Sequence, residues 1–149
     1  MTGRPYHYRE SGLETVYLLN GYEIVKSARG TGIKVHDIDG LHAAIGRSIT
    51  ENNKKLSGSE FRFLRNELLM SQASLAQLLQ VKELTVARWE KGQTKIPVTA
   101  DATIRALYQE HINGNRRITD ILRSLADLED RIDRIEMQHE EDGSWDRAA

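Results

Sequence analysis

Apolar positions change their period twice along the chain. Residues 1–12 are polar, hold Gly3, Pro5 and Gly12, and read as a flexible arm. Thr15–Leu19 and Tyr22–Val25 flank Asn20-Gly21, a pair that tolerates the positive φ angles of a type I′ turn, so a hairpin is predicted there. A second turn at Arg29-Gly30-Thr31-Gly32 leads into Ile33–His36, which alternates like a third strand. From Asp39, read as an N-cap, the period becomes helical. Leu41, Ala44, Ile45, Ser48 and Ile49 place an amphipathic helix over 40–53, and Asn52–Lys55 reads as a polar linker.

Four helical segments follow. Ser59 is read as the cap of the first, with Phe61, Leu64 and Leu68 on one face. Ser71 caps the second, with Leu75, Ala76 and Leu79 inward. The third starts at Lys82-Glu83 and ends at Lys91-Gly92, where glycine suits the position after a helix. Pro97 and Thr99 precede the fourth, with Ile104, Leu107 and Tyr108 inward. Beyond Asn113-Gly114, the apolar residues Ile118, Ile121, Leu125, Leu128, Ile132 and Ile135 alternate spacings of three and four between charged positions. This narrow stripe predicts a dimerising coiled-coil seam, against the alternative of one amphipathic helix folded back on the body. After Met137 the chain is polar and is expected to fray.

The predicted fold class is mainly α. The expected layout is a flexible arm (1–12), a small β-hairpin/α module (13–56), a helical domain (57–114), and a coiled-coil helix with a polar tail (115–149). The 149 residues contain no cysteine, which removes disulfides and thiolate metal sites. The longest apolar runs fall short of the ~20 residues that cross a bilayer. The opening Met-Thr-Gly-Arg-Pro-Tyr lacks the apolar core of a signal peptide, so a cytoplasmic protein without membrane association is expected. Net charge is −1, but it is uneven: +2 over residues 1–56, +1 over 57–114 and −4 over 115–149. A weakly basic body is a modest electrostatic footprint for a nucleic-acid binder, so the functional argument rests on the motif.

The segment Ser71–Pro97 reads SQASLAQLLQVKELTVARWEKGQTKIP. Two short helices that cross steeply need a small residue at the crossing, and Ala76 supplies it between Leu75 and Leu79. Val81, Val86 and Trp89 close a small core. Glu83, Leu84, Ala87, Arg88 and Lys91 are left outside, which is the arrangement a major-groove reader needs. Arg88 suits a bidentate pair to guanine O6 and N7, Leu84 a thymine methyl, and Glu83 cytosine N4. Lys82 and Thr85 sit near the helix start, within reach of phosphates or base edges. Gln72 at the opening of the preceding helix suits a phosphate, and Gln93, Thr94 and Lys95 form a polar loop for backbone contact.

These residues resemble the phage repressor/Cro-type (XRE-family) helix-turn-helix. The shared elements are Ser71-Gln72, Leu75-Ala76, Val81, Thr85-Val86 and Trp89-Glu90-Lys91-Gly92. The resemblance implies a lambda-repressor-like bundle, with Gln72, Glu83, Leu84 and Arg88 at the family's DNA-contacting positions. Gln80 stands where the family often has glycine, at a cost of about 1 kcal/mol. The whole layout also resembles MqsA-like antitoxins, whose N-terminal module holds zinc through cysteines; no zinc carries over to this cysteine-free chain.

The expected function is sequence-specific binding of double-stranded DNA by a homodimeric regulator, a repressor by preference. The alternative is an antitoxin whose residues 13–56 bind and neutralise a partner protein. A third option is an adaptor whose tail recruits another protein. No cofactor or metal is expected. His36, Asp37, Asp39 and His42 cluster in sequence, but strand alternation separates the first two and Asp39 is used as a cap. An enzyme is not expected, since no nucleophile, base and oxyanion set is visible.

Overall fold

The computed structural model describes residues 4–114, 120 and 135–148. Strands β1 (Tyr6–His7) and β2 (Tyr17–Leu18) pair antiparallel. So do β3 (Tyr22–Ser27) and β4 (Gly30–Val35). Helices α1 (Ile38–Glu51), α2 (Gly58–Glu67), α3 (Gln72–Leu79), α4 (Glu83–Glu90) and α5 (Val98–Ile112) follow, and β5 (Met137–His139) pairs with β6 (Trp145–Arg147).

The N-terminal third departs from the sequence reading. Asn20-Gly21 does turn the chain, with Gly21 at φ +79°, but Asn20 keeps a negative φ and no type I′ hairpin forms. The turn passes the chain from one two-stranded sheet to the next. The hairpin closes instead around Ala28-Arg29, with Ser27 opposite Gly30 and Ile24 opposite Ile33. That register puts Tyr22, Ile24, Ile33 and Val35 on one face, and three of these four pack against the core.

The expected arm is not loose from Tyr6 onward. Tyr6 and His7 pair with Leu18 and Tyr17, a 3-10 turn follows at Arg9–Ser11, and Tyr8 and Leu13 are buried. The α1 cap is Asp37 rather than Asp39: its side chain accepts from the Gly40 N–H while its backbone takes the left-handed conformation. The α2 cap is likewise two residues early. Ser57 and Glu60 form a reciprocal capping box, Ser57 Oγ accepting from Glu60 N–H and Glu60 Oε1 from Ser57 N–H.

The boundary expected near residue 56 does not divide the core. Tyr8, Leu13, Leu18, Ile45 and Ile49 share one apolar cluster with Phe61, Leu64, Leu75, Val86, Ile104 and Tyr108. Helix α1 lies against α5 so closely that a Cβ at Gly46 would overlap the Tyr108 ring. The linker after α1 is fixed as well. Arg105 donates to the carbonyls of Thr50 (3.0 Å) and Asn52 (2.7 Å), and Asp101 accepts from the Leu56 N–H (2.9 Å). At the far side Tyr8 OH and His42 Nε2 share a 2.8 Å hydrogen bond, and His42 Nδ1 lies 3.2 Å from Glu67. His42 therefore joins the β1 segment to α2, and stands apart from His36, Asp37 and Asp39 in its contacts.

Tyr108 is fully buried and donates to the His42 carbonyl (3.4 Å). Burial pushes its phenol up to about 12, with Glu67 adding to the rise and Arg47 opposing it. A raised pKa means the fold holds the proton more tightly than the unfolded chain does. The associated stability is complete below pH ~10 and is lost as pH climbs through about 12, on the order of 2–3 kcal/mol in all. Urea midpoints should fall between pH 9.5 and 11.5 (roughly the span of that titration), and Tyr108→Phe should flatten the fall. Equal slopes for the two proteins would exclude Tyr108 as its source.

The tail also differs from expectation. Residues 137–147 form a hairpin around Asp142-Gly143, where Asp142 Oδ1 accepts from Ser144 N–H (2.9 Å) and Oγ (2.6 Å). The Ser144 hydroxyl, then its N–H, holds the Asp142 carboxyl below the usual range. Ile135, the last position of the predicted seam, is exposed and non-helical just ahead of this hairpin. Ile118, Ile121, Leu125, Leu128 and Ile132 lie outside the described residues.

Candidate nucleic-acid interface

Ser71 opens α3 as expected, its hydroxyl accepting from the Ser74 N–H at 3.0 Å. Leu75 and Ala76 are buried, and the turn follows at Gln80, which takes φ 59° and ψ 41° despite its side chain. The Gln80 amide repays part of that strain by donating to the Gln77 carbonyl (2.9 Å). Val81 N–H then bonds back to the Ala76 carbonyl (2.9 Å), which fixes the angle at which the chain enters α4. Leu69, in the link between α2 and α3, is a second non-glycine residue with positive φ, and its side chain is 87% exposed.

Val86 and Trp89 anchor the inner face of α4, the indole meeting Phe61 edge-on at 5.7 Å between ring centres. The opposite face is open. Lys82, Glu83, Leu84, Arg88 and Lys91 are exposed, with Leu84 at 58%, while Thr85 and Ala87 are half-buried at its margins. Residues 84, 88 and 91 recur at helical spacing and so form one stripe. Lys82, Arg88 and Lys91 against Glu83 give the exposed face as a whole a positive balance. Among the described residues, no carboxylate pairs with Lys82, Arg88 or Lys91. The helix ends where Gly92, at φ +72°, lets its N–H reach the Trp89 carbonyl and the Gln93 N–H reach that of Arg88. The loop Gln93–Lys95 is left exposed beside it.

Gln72 behaves differently from the free phosphate donor that its position suggests. It is half-buried, and its Nε2 donates to Glu90 Oε1 at 2.9 Å. Glu90 is the hub of a buried polar group that the sequence reading passed over. Arg65 donates to it twice, Nε to Oε2 at 2.6 Å and Nη2 to Oε1 at 2.9 Å, and gives Nη1 to the Met70 carbonyl at 2.9 Å. The side chains of Arg65 and Glu90 are 9% and 3% exposed. One ion pair thus joins α2, the α2–α3 link, the start of α3 and the end of α4. A signal for it was present. Arg65 falls in the apolar phase of Phe61, Leu64 and Leu68, and Glu90 in that of Val86 and Trp89, so two opposite charges were due to point inward.

The arrangement presents a short, rigidly backed helix with an uncommitted guanidinium and an apolar side chain at its centre. That chemistry suits hydrogen bonding to base edges and contact with a methyl group in a groove wide enough for a helix. Among the described residues, no helix is long and apolar enough to cross a membrane.

Residues 61–100, from α2 to the start of α5, match the family model described as Helix-turn-helix. No curated protein and no solved structure matches the chain. The α3–turn–α4 geometry and the family match agree: residues 61–100 carry a helix-turn-helix.

Proposed function

We propose that this chain is a sequence-specific transcriptional regulator, a repressor by preference, that reads the major groove with α4. The observation that carries the reading is the open α4 face, where Arg88 and Leu84 project from a helix whose other side is locked by Val86, Trp89 and the Arg65–Glu90 pair. Arg88 pairs with guanine, Leu84 meets a thymine methyl and Glu83 accepts from cytosine. Lys82, Thr85 and Lys91 flank them, and Gln93, Thr94 and Lys95 approach the phosphates. Gln72, held by Glu90, offers its remaining amide proton and the N–H groups beside it to the backbone. One weakly basic domain binds loosely at cellular salt, so a homodimer paired through Ile118, Ile121, Leu125, Leu128 and Ile132 completes the reading. Its half-sites fall about one helical turn apart, in the cytoplasm.

A second reading keeps the same DNA-binding domain in an antitoxin that neutralises a partner protein and represses its own operon. Tyr17, Leu19, Ile24 and Val25 on residues 13–56 are exposed apolar side chains that a protein partner could cover, and they favour it. A small protein co-purifying stoichiometrically, and lost with Ile24→Asp, is its expected sign.

Selection of duplexes from a random pool by the full-length protein at ~150 mM salt tests the main reading. An enriched motif is expected, two-fold symmetric if the protein acts as a dimer. A pool left at background would overturn it.

A further inference from the structure

We propose that Lys54 and Lys55, together with Lys95, form a second cationic contact that grips the DNA backbone beside the bases read by α4; the inference rests on the reading above. Three features place it. Lys55 and Lys95 line one groove of about 350 Å³, between the linker that precedes α2 and the loop that follows α4. Gly58, also in its lining, lies directly on the Trp89 and Glu90 carbonyls, which brings the linker against the end of α4. Lys95, in the loop after α4, thus shares this groove with Lys55, and the exposed Lys54 adjoins Lys55 in the chain.

The linker holds its shape for a reason that its own packing does not supply. The Arg105 guanidinium bonds the carbonyls of Ile49, Thr50, Asn52 and Lys54 and pairs with Asp101. Asp101 also takes the Leu56 N–H, and Asn52 Oδ1 takes the Lys54 N–H at 3.0 Å. Arg105 and Asp101 cancel one another, and Glu60 is occupied by its capping box. Lys54 and Lys55 meanwhile stay exposed, with no ion pair among the described residues. Two adjacent unpaired lysines on a fixed backbone suit phosphates as point charges. They carry no base information, so they add affinity without altering the sequence preferred.

The test uses the full-length chain with the duplex enriched by selection and with an unrelated duplex. Binding is titrated against salt for the parent, for Lys54→Ala/Lys55→Ala and for Lys54→Arg/Lys55→Arg. The alanine pair should lose affinity about equally for both duplexes, roughly tenfold or more at ~150 mM salt, and its slope of log K against log salt should shrink by about 1.8. The arginine pair should keep the parent slope, and the enriched motif should be the same for all three. Parent affinity and slope in the alanine pair would overturn the proposal while leaving the α4 reading intact. A changed motif would overturn the backbone role. A parent that binds neither duplex would bring down the α4 reading itself, and this inference with it.

Discussion

Glu90→Ala should lower the stability of the fold by about 3–5 kcal/mol, because it leaves a guanidinium buried without its anion. The loss is not that of one surface pair. Arg65 donates two bonds to Glu90, Gln72 a third, and the acceptor side chain is 3% exposed. A urea titration at an unchanged m-value reads the effect as a shift of midpoint. The double variant Arg65→Met/Glu90→Leu should recover much of it, since an apolar pair of similar volume avoids the uncompensated charge. What the double variant should not recover is DNA binding, because Gln72 and the end of α4 lose their common anchor. A Glu90→Ala protein as stable as its parent would mean that the pair contributes nothing to the packing of α2 on α4.

Gly58→Ala should be the second severe change, at about 3 kcal/mol. Helix propensity alone predicts the opposite sign, because alanine is favoured over glycine in a helix by up to about 1 kcal/mol. Contact decides the matter. A Cβ on Gly58 would stand 2.5 Å from the Glu90 carbonyl oxygen and closer still to that of Trp89. Both are backbone atoms at the end of α4, with no rotamer into which to retreat, so α2 must move away from the helix that it supports. DNA affinity should therefore fall even in conditions where the variant is fully folded. An alanine variant more stable than the parent would show that the two helices are not in contact there.

The part of the chain that was legible in sequence is the part whose structure is local. Ser71, Ala76, Val86, Trp89 and Gly92 each occupy the place that spacing assigns, and the left-handed Gln80 follows from the turn that joins two short helices. Strand pairing was not legible, because it is a choice between partners. The Asn20-Gly21 signal is strong, yet β2 pairs with β1 and β3 with β4, where burial of Tyr8, Tyr22 and Val35 rewards a different register. The caps at Asp37 and Ser57 were each misplaced by two residues because Asp39 and Ser59 offer the same chemistry. Arg105 serves carbonyls more than fifty residues away, which no periodicity reports. The tail hairpin did carry a signal, Asp142-Gly143 between His139 and Trp145, that the polar composition around it concealed.

The central claim is that the outer face of α4 reads bases. Parallel selections from one random duplex pool, with the parent and with Arg88→Ala, test it most directly. Arg88 is exposed and unpaired among the described residues, so the substitution should leave the fold intact. The account predicts that the parent motif contains a guanine which the variant no longer distinguishes, at a cost of about 1–3 kcal/mol for that position, with the other positions kept. The same motif at the same information content from both proteins would contradict it.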